Sequence, residues 1–406
     1  MDDVHLRLPL ILDGATATNL VKYGFKAGDS LPLFAKEHGD EVAALQKAYA
    51  AAGAGAVLAP TYGANRTVLA RYGYEGDTAA LNRILTAATR RAVGPELLVG
   101  GDLSMTGLRP APFGETPFRQ IVADYAEQAA GIADGGADFL ICEGMTNMWE
   151  ARAAVLGCRT TGLPVFITMS LNEDNESPED LPFLSFMVTV QKLGAAAVGM
   201  NSFSNYDRAA RLLDQARRYA EAPLIVRPAA GWPDSVLAPE TFARACEGLY
   251  HAGAEILGGC SRTGPAHIAA LHKAIAKTPP LPAAEPEDVW VAADDRDVYF
   301  LNDDDIVPSD PISCGYDMGE DLIEMERLED GLINTVRIRV NSTADALLLA
   351  QYAYMSELPV MLQADSPEVL WEALFLYQGR ALVDSGSEME PETLRRIAAS
   401  FGAIVY

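Results

Sequence analysis

The sequence predicts a (β/α)8 TIM barrel followed by a smaller, partial-barrel-like α/β domain. Three observations carry that expectation. Eight short, nearly continuous apolar runs are spaced to leave room for a helix after each, the pattern of parallel strands buried on both faces. Several intervening helices end in phrases such as "AGAGAV", "GGADFL", "LGAAAV" and "AGAEIL", where Gly supplies a left-handed cap before the next strand. The final stretch alternates strand and helix as βαβαβαβ.

The eight runs are, in order, "LPLILDGA", "AGAVLAPTYG", "ELLVGGDLS", "ADFLICEGM", "LPVFITMSL", "AAAVGMNSF", "PLIVRPAAG" and "AEILGGCSR". Between them lie stretches of helical period, for example "DYAEQAAGIADGG" and "DRAARLLDQARRYAEA". Repetition at this regularity fits a closed barrel over residues 1–277 better than an open doubly wound sheet. A chain of 406 residues is long for one core, so a second unit is expected. The Pro- and Glu-rich "AKTPPLPAAEPEDV" marks the boundary as a stiff linker. Residues 278–330 then read as linker and acidic segment; "ADDRDVYFLNDDDIVPSD" lacks the ligand spacing of a calcium loop and reads as solvated surface. Residues 331–406 form the small βαβαβαβ domain, with helices from about Thr343, Pro367 and Pro391.

Composition excludes several classes of partner. A net charge of −25 disfavours nucleic acid and anionic membrane surfaces, since both need clustered Lys and Arg. The N-terminal "MDDVHLRLPLILDGATATNL" is acidic where a secretory signal is basic. No run approaches the roughly 18 apolar residues of a membrane helix. Cys142, Cys158, Cys246, Cys260 and Cys314 show no paired spacing and read as reduced thiols of a cytoplasmic protein.

Barrel chemistry sits at the C-terminal ends of the strands. Those ends present Asp13, Thr61, Asp102, Glu143, Thr168 with Ser170, Asn201 with Ser202, Arg227, and Cys260 with Ser261. A free cysteine usually fills core space. Cys260 instead follows the buried part of its strand and joins a polar ring. None of His5, His38, His251, His267 and His272 falls at such an end, so no imidazole is placed as base or ligand there. No lysine is placed at one for a Schiff base.

With "DGATATNL" on the first strand, "TYGANRTVLARYGYE" after the second, "ADFLICEGMTNMWEARAA" at the fourth and "GGCSRTGPAHIAAL" at the eighth, the chain resembles the homocysteine S-methyltransferases. These include the zinc-dependent barrel of cobalamin-dependent methionine synthase and betaine-homocysteine methyltransferase. The resemblance implies methyl transfer to a thiol of homocysteine or a related amino-acid-like acceptor. It implies substrate contacts from Asp13, Glu143, Thr146 and Asn201, with Glu143 on the amino group. The family's three zinc-binding cysteines fall at Ser202, Cys260 and Ser261, so two thiolate positions are serine here. A hydroxyl has no accessible anionic form near neutral pH and is a poor zinc ligand beside thiolate. The zinc site is therefore expected to be degenerate, leaving Cys260 as a lone catalytic thiol. Pro60 and Ala229 replace asparagines of the family pattern.

The C-terminal segment "QADSPEVLWEALFLYQGRALVDSGSEMEPETLRRIAASFGAIVY" resembles part of a pterin-binding (methyltetrahydrofolate) domain, with Asp384-Ser385 at the family's "NS" strand end. A fragment lacks half of that pocket. It implies a docking surface for a corrinoid protein or a second chain, with methyl-corrinoid or methyltetrahydrofolate as donor on the partner. The alternative is a catalytically inactive relative that binds a ligand or such a partner.

Overall fold

The computed structural model describes residues 7–172, 177–232, 235–279, 287, 289–328 and 331–406. His5 and most of the Pro-rich stretch lie outside the described residues.

Each of the eight apolar runs forms a parallel strand: β1 (Leu10–Ile11), β2 (Ala56–Ala59), β3 (Leu98–Ser104), β4 (Phe139–Met145), β5 (Val165–Ser170), β6 (Ala197–Asn201), β7 (Leu224–Arg227) and β8 (Ala254–Leu257). Each of β2 to β7 is paired with its neighbours in sequence, and β8 pairs with both β7 and β1. A parallel bridge from Leu12 to Ala56 joins the first strand to the second and closes the barrel.

The strands are apolar throughout because both faces are covered. Leu10, Leu58, Phe139, Ile141, Phe166, Ile225 and Ile256 fill the barrel interior, with the rings of Phe139 and Phe166 stacked at 4.6 Å. The alternate residues, such as Val57, Leu140, Ile167 and Val198, pack outward in the core they share with the surrounding helices.

Within 278–330, the described residues do more than link. Trp290–Ala293 (β9) and Val298–Leu301 (β10) form an antiparallel hairpin, and Ile312–Ser313 (β11) opens a second parallel sheet. That sheet continues through Val336–Arg339 (β12), Val360–Gln363 (β13), Leu382–Val383 (β14) and Ile404–Val405 (β15), in sequential order. Its helices begin at Thr343, Pro367 and Pro391, where the sequence places them.

Sequential order without a switch point is the winding of a barrel segment rather than of a doubly wound sheet. On one face Val336, Ile338, Val360, Leu362 and Val383 meet the helices. On the other, Met361, Leu382 and Ile404 are covered by Ala292 and Leu301 of the hairpin and by Ile306. The acidic segment is thus partly buried: Asp294 accepts from the Arg296 and Asp297 amides and from the Tyr299 hydroxyl, closing the hairpin turn.

The second unit is locked onto the helices outside the barrel. Arg152, fully buried in the helix Met148–Cys158, donates to the Leu374 carbonyl at 2.8 Å and the Phe375 carbonyl at 3.2 Å. Those carbonyls end the helix Pro367–Leu376, where unpaired acceptors and the helix dipole favour a cation. The Phe118 and Phe375 rings pack edge to face alongside, at 5.1 Å. Arg159 donates to the Ser400 carbonyl at 2.7 Å, and the Ser185 hydroxyl donates to the Asp294 carbonyl.

Removing Arg152 strands two buried carbonyls, so Arg152→Ala is expected to cost about 3 kcal/mol in urea unfolding. A loss below about 0.5 kcal/mol would mean that the lock contributes little.

Candidate active site

The strand ends converge on a cavity of about 230 Å³ at the C-terminal mouth of the barrel, lined by Asp102, Glu143, Arg227, Cys260 and the loop after β1. Local backbone features aim these groups. The β4 ladder is irregular between Cys142 and Met145, and Gly144 has a φ of +80°, so Glu143 is turned into the mouth by a bulge. Gly259 lets the β8 turn close against the strand: a Cβ there would lie 2.3 Å from the Thr263 hydroxyl. Around that turn, Thr263 Oγ1 accepts from the Ala15 amide, and Asn19 bonds the carbonyls of Ala15 and Thr263. Tyr49 donates to the Ala15 carbonyl at 2.7 Å, which further ties the β1 loop into this network with the β8 loop.

Arg227 is the centre of the charge arrangement. Its Nη1 donates to Glu143 Oε1 at 2.5 Å and its Nη2 to Asp13 Oδ1 at 3.2 Å, with all three side chains buried. Asp13 Oδ2 accepts from the Leu58 amide at 2.8 Å. Burial pushes the Asp13 carboxyl up to about 7 against the pull of Arg227. Burial disfavours the guanidinium charge, yet Glu143 and Asp13 more than offset this and hold Arg227 above its ordinary value. Asp102, on β3, is pushed well above the usual carboxylate range by burial and by the nearby Glu143.

At the other end of the cavity, Ser202, Cys260 and Ser261 come together. Cys260 Sγ lies 3.2 Å from Ser202 Oγ and 3.9 Å from Ser261 Oγ. Ser202 holds a left-handed backbone with φ of +62°, a conformation costly for a residue with a side chain. Its amide donates to the Arg227 carbonyl at 3.1 Å. Asn201 Nδ2 donates to Ser202 Oγ at 3.2 Å, while its Oδ1 accepts from the Gly144 amide and the Thr168 hydroxyl. The trio offers one thiol and two neutral hydroxyls, a donor set that does not fit zinc. Among the described residues, no group of three or more His, Cys, Asp or Glu side chains is arranged to hold a metal.

Of the residues expected at the substrate, Asp13 backs the cavity through Arg227 and Leu58, and Glu143 and Asn201 line it. Thr146 is not among the residues lining it, and its hydroxyl donates to Glu179 at 2.8 Å, in the loop above. Within the polar ring, Thr61 is buried and spends its hydroxyl on the Asp102 backbone. Sequence reading passed over two contributors. Tyr62, inside the quoted "TYGANR", lines the cavity. Glu150, inside "EGMTNMWEARAA", accepts from Thr106, Gly107 and Tyr125 and so fixes the loop after β3.

The Asp13 shift has a definite sign. Its folded-state value lies above the unfolded one, so the native state holds a proton the unfolded chain releases, and stability falls as pH rises towards 7. Relative to Asp13→Asn, the protein is expected to lose about 2–3 kcal/mol between pH 5 and pH 8 in urea titrations. Parallel pH curves for the two proteins would contradict this.

Residues 10–275 match the homocysteine S-methyltransferase family. The methionine synthase of Mycobacterium tuberculosis is 28% identical over 301 residues, covering 68% of this chain and 25% of that protein. The chain thus spans about a quarter of that relative's length. Betaine–homocysteine S-methyltransferase 1 of Rattus norvegicus is 25% identical over 317 residues, covering 69% of this chain and 76% of the relative. Among solved structures, the metallated form of the homocysteine methyltransferase MmuM from Escherichia coli aligns with a TM-score of 0.56 and 25% identity, covering 65% of this chain and 95% of that one. On the barrel and its matched residues, the chain belongs to the homocysteine S-methyltransferase family.

Proposed function

We propose that this chain is a methyltransferase whose acceptor, homocysteine or a related small amino-acid-like thiol, sits in the barrel-mouth cavity. The observation that supports this reading is the convergence of Asp102, Glu143, Asn201, Ser202, Cys260 and Ser261 on one cavity, in a barrel of this family. Glu143, Asn201 and, through Arg227, Asp13 form the amino-acid end. Cys260, flanked by Ser202 and Ser261, is the thiol of the sulfur end. Thr146 supports the loop above rather than the substrate.

The serines at 202 and 261 argue against routing thiol activation through a family-type zinc site. The methyl donor is carried by a separate methyl-corrinoid or methyltetrahydrofolate-bearing partner, and the second unit is its docking surface. A folate pocket within that unit has little support, because its non-helical face is covered by the β9–β10 hairpin and Ile306. A second reading, a non-catalytic relative that binds a ligand or such a partner, is favoured by the two serines.

Methyl transfer from methylcobalamin to homocysteine separates the two. The enzyme reading expects Cys260→Ala and Glu143→Ala each to lower turnover by about tenfold or more. Turnover absent from the unaltered protein, with homocysteine affinity unchanged by Cys260→Ala, supports the binder. Elemental analysis tests the sulfur end directly. The unaltered protein is expected to purify without stoichiometric zinc, whereas Ser202→Cys with Ser261→Cys restores three thiolates and should hold about one zinc per chain. Stoichiometric zinc in the unaltered protein would contradict the degenerate site.

A further inference from the structure

The mouth holds three carboxyl groups, Asp13, Asp102 and Glu143, around one guanidinium. Arg227 is already committed, one terminal nitrogen to Glu143 and the other to Asp13. The second oxygen of Asp13 is taken by the Leu58 amide. These two carboxyls thus share one positive charge, and the Arg227 Nε is buried with no hydrogen-bond partner among the described residues.

Asp102 is different. Its backbone is tied to the Thr61 hydroxyl on both sides, which fixes β3 against β2 and sets the direction of the side chain. Among the described residues, its buried Oδ1 finds no hydrogen-bond partner, although the residue lines the cavity. A buried carboxyl oxygen without a donor is costly, and the cost is relieved when a cationic donor arrives. Among the described residues lining the cavity, Arg227 is the one cation, and its two terminal nitrogens bond Glu143 and Asp13.

We infer that Asp102 is the residue that receives the ammonium group of the acceptor, with Arg227 holding Glu143 and Asp13 in place beside it. The inference rests on the acceptor reading proposed above but assigns the amine contact to a residue on β3. Burial and the neighbouring Glu143 favour the neutral Asp102 carboxyl against the pull of Arg227, and a bound ammonium would add to that pull.

The test is calorimetric binding to the unaltered protein and to Asp102→Asn. The probes are homocysteine, 4-mercaptobutanoate, which lacks the amine, and 2-aminobutanoate, which lacks the thiol. The unaltered protein should bind homocysteine at least about tenfold more tightly than 4-mercaptobutanoate, and Asp102→Asn should abolish that preference. Asp102→Asn should leave the ligand-free melting temperature unchanged or raised, since it removes a carboxyl with an unpaired oxygen; a structural role would lower it. A preference for the amine that survives Asp102→Asn, or no such preference in the unaltered protein, overturns the inference. If 2-aminobutanoate binds as well as homocysteine and this binding depends on Asp102, the inference stands and the thiol-acceptor reading falls.

Discussion

The architecture of the mouth turns on one buried guanidinium. Arg227 reaches from the end of β7 to Glu143 on β4 and to Asp13 beyond β1, tying together strands on opposite sides of the barrel. Burying charge is expensive unless it is paired and hydrogen-bonded, and here each carboxylate supplies part of what the other cannot. Asp13 is further anchored by the Leu58 amide of β2. The positions of Ser202 and Cys260 follow from the same region, because the Ser202 amide hangs on the Arg227 carbonyl and the Cys260 amide on that of Pro228.

Around this fixed centre the two ends of the cavity differ in chemistry. The carboxylate end carries a dense charge arrangement, whereas the end at Cys260 carries hydroxyls at Ser202 and Ser261, two of the three positions where the family resemblance implies thiolates. A thiol flanked by hydroxyls can hydrogen-bond and orient, but it lacks the anionic donors that concentrate a soft metal. The second unit shows a parallel economy. It winds like a barrel segment, yet a hairpin from its own chain covers the face that would otherwise look inward. Arg152 then ties it to the barrel helices through the Leu374 and Phe375 carbonyls.

Most of the barrel was legible because strands buried on both faces have no polar alternation to confuse them. The runs ending at Asp102, Glu143 and Arg227 therefore also located the polar mouth. The serine substitutions were legible by their place after an Asn and after a Gly-Gly. Pairing was not legible: Arg227 meets residues 84 and 214 positions away, a distance over which neither period nor spacing carries information. The pairing of the Thr146 hydroxyl with Glu179 was hidden for the same reason. The hairpin and β11 were hidden by acidic residues that read as solvated surface, although Asp294 is buried with each oxygen satisfied by a neighbour in its own turn.

A double-mutant cycle addresses the central claim, that the Arg227–Glu143 contact organises the mouth. Unfolding free energies would be measured for the unaltered protein, Arg227→Met, Glu143→Gln and the double variant. The account predicts a coupling energy of about 2 kcal/mol or more, because Arg227→Met leaves Glu143 buried without its guanidinium and Glu143→Gln leaves Arg227 with Asp13 alone, whereas the double variant has neither half of the contact. A coupling below about 0.5 kcal/mol would contradict it, leaving the mouth to be held by backbone packing alone.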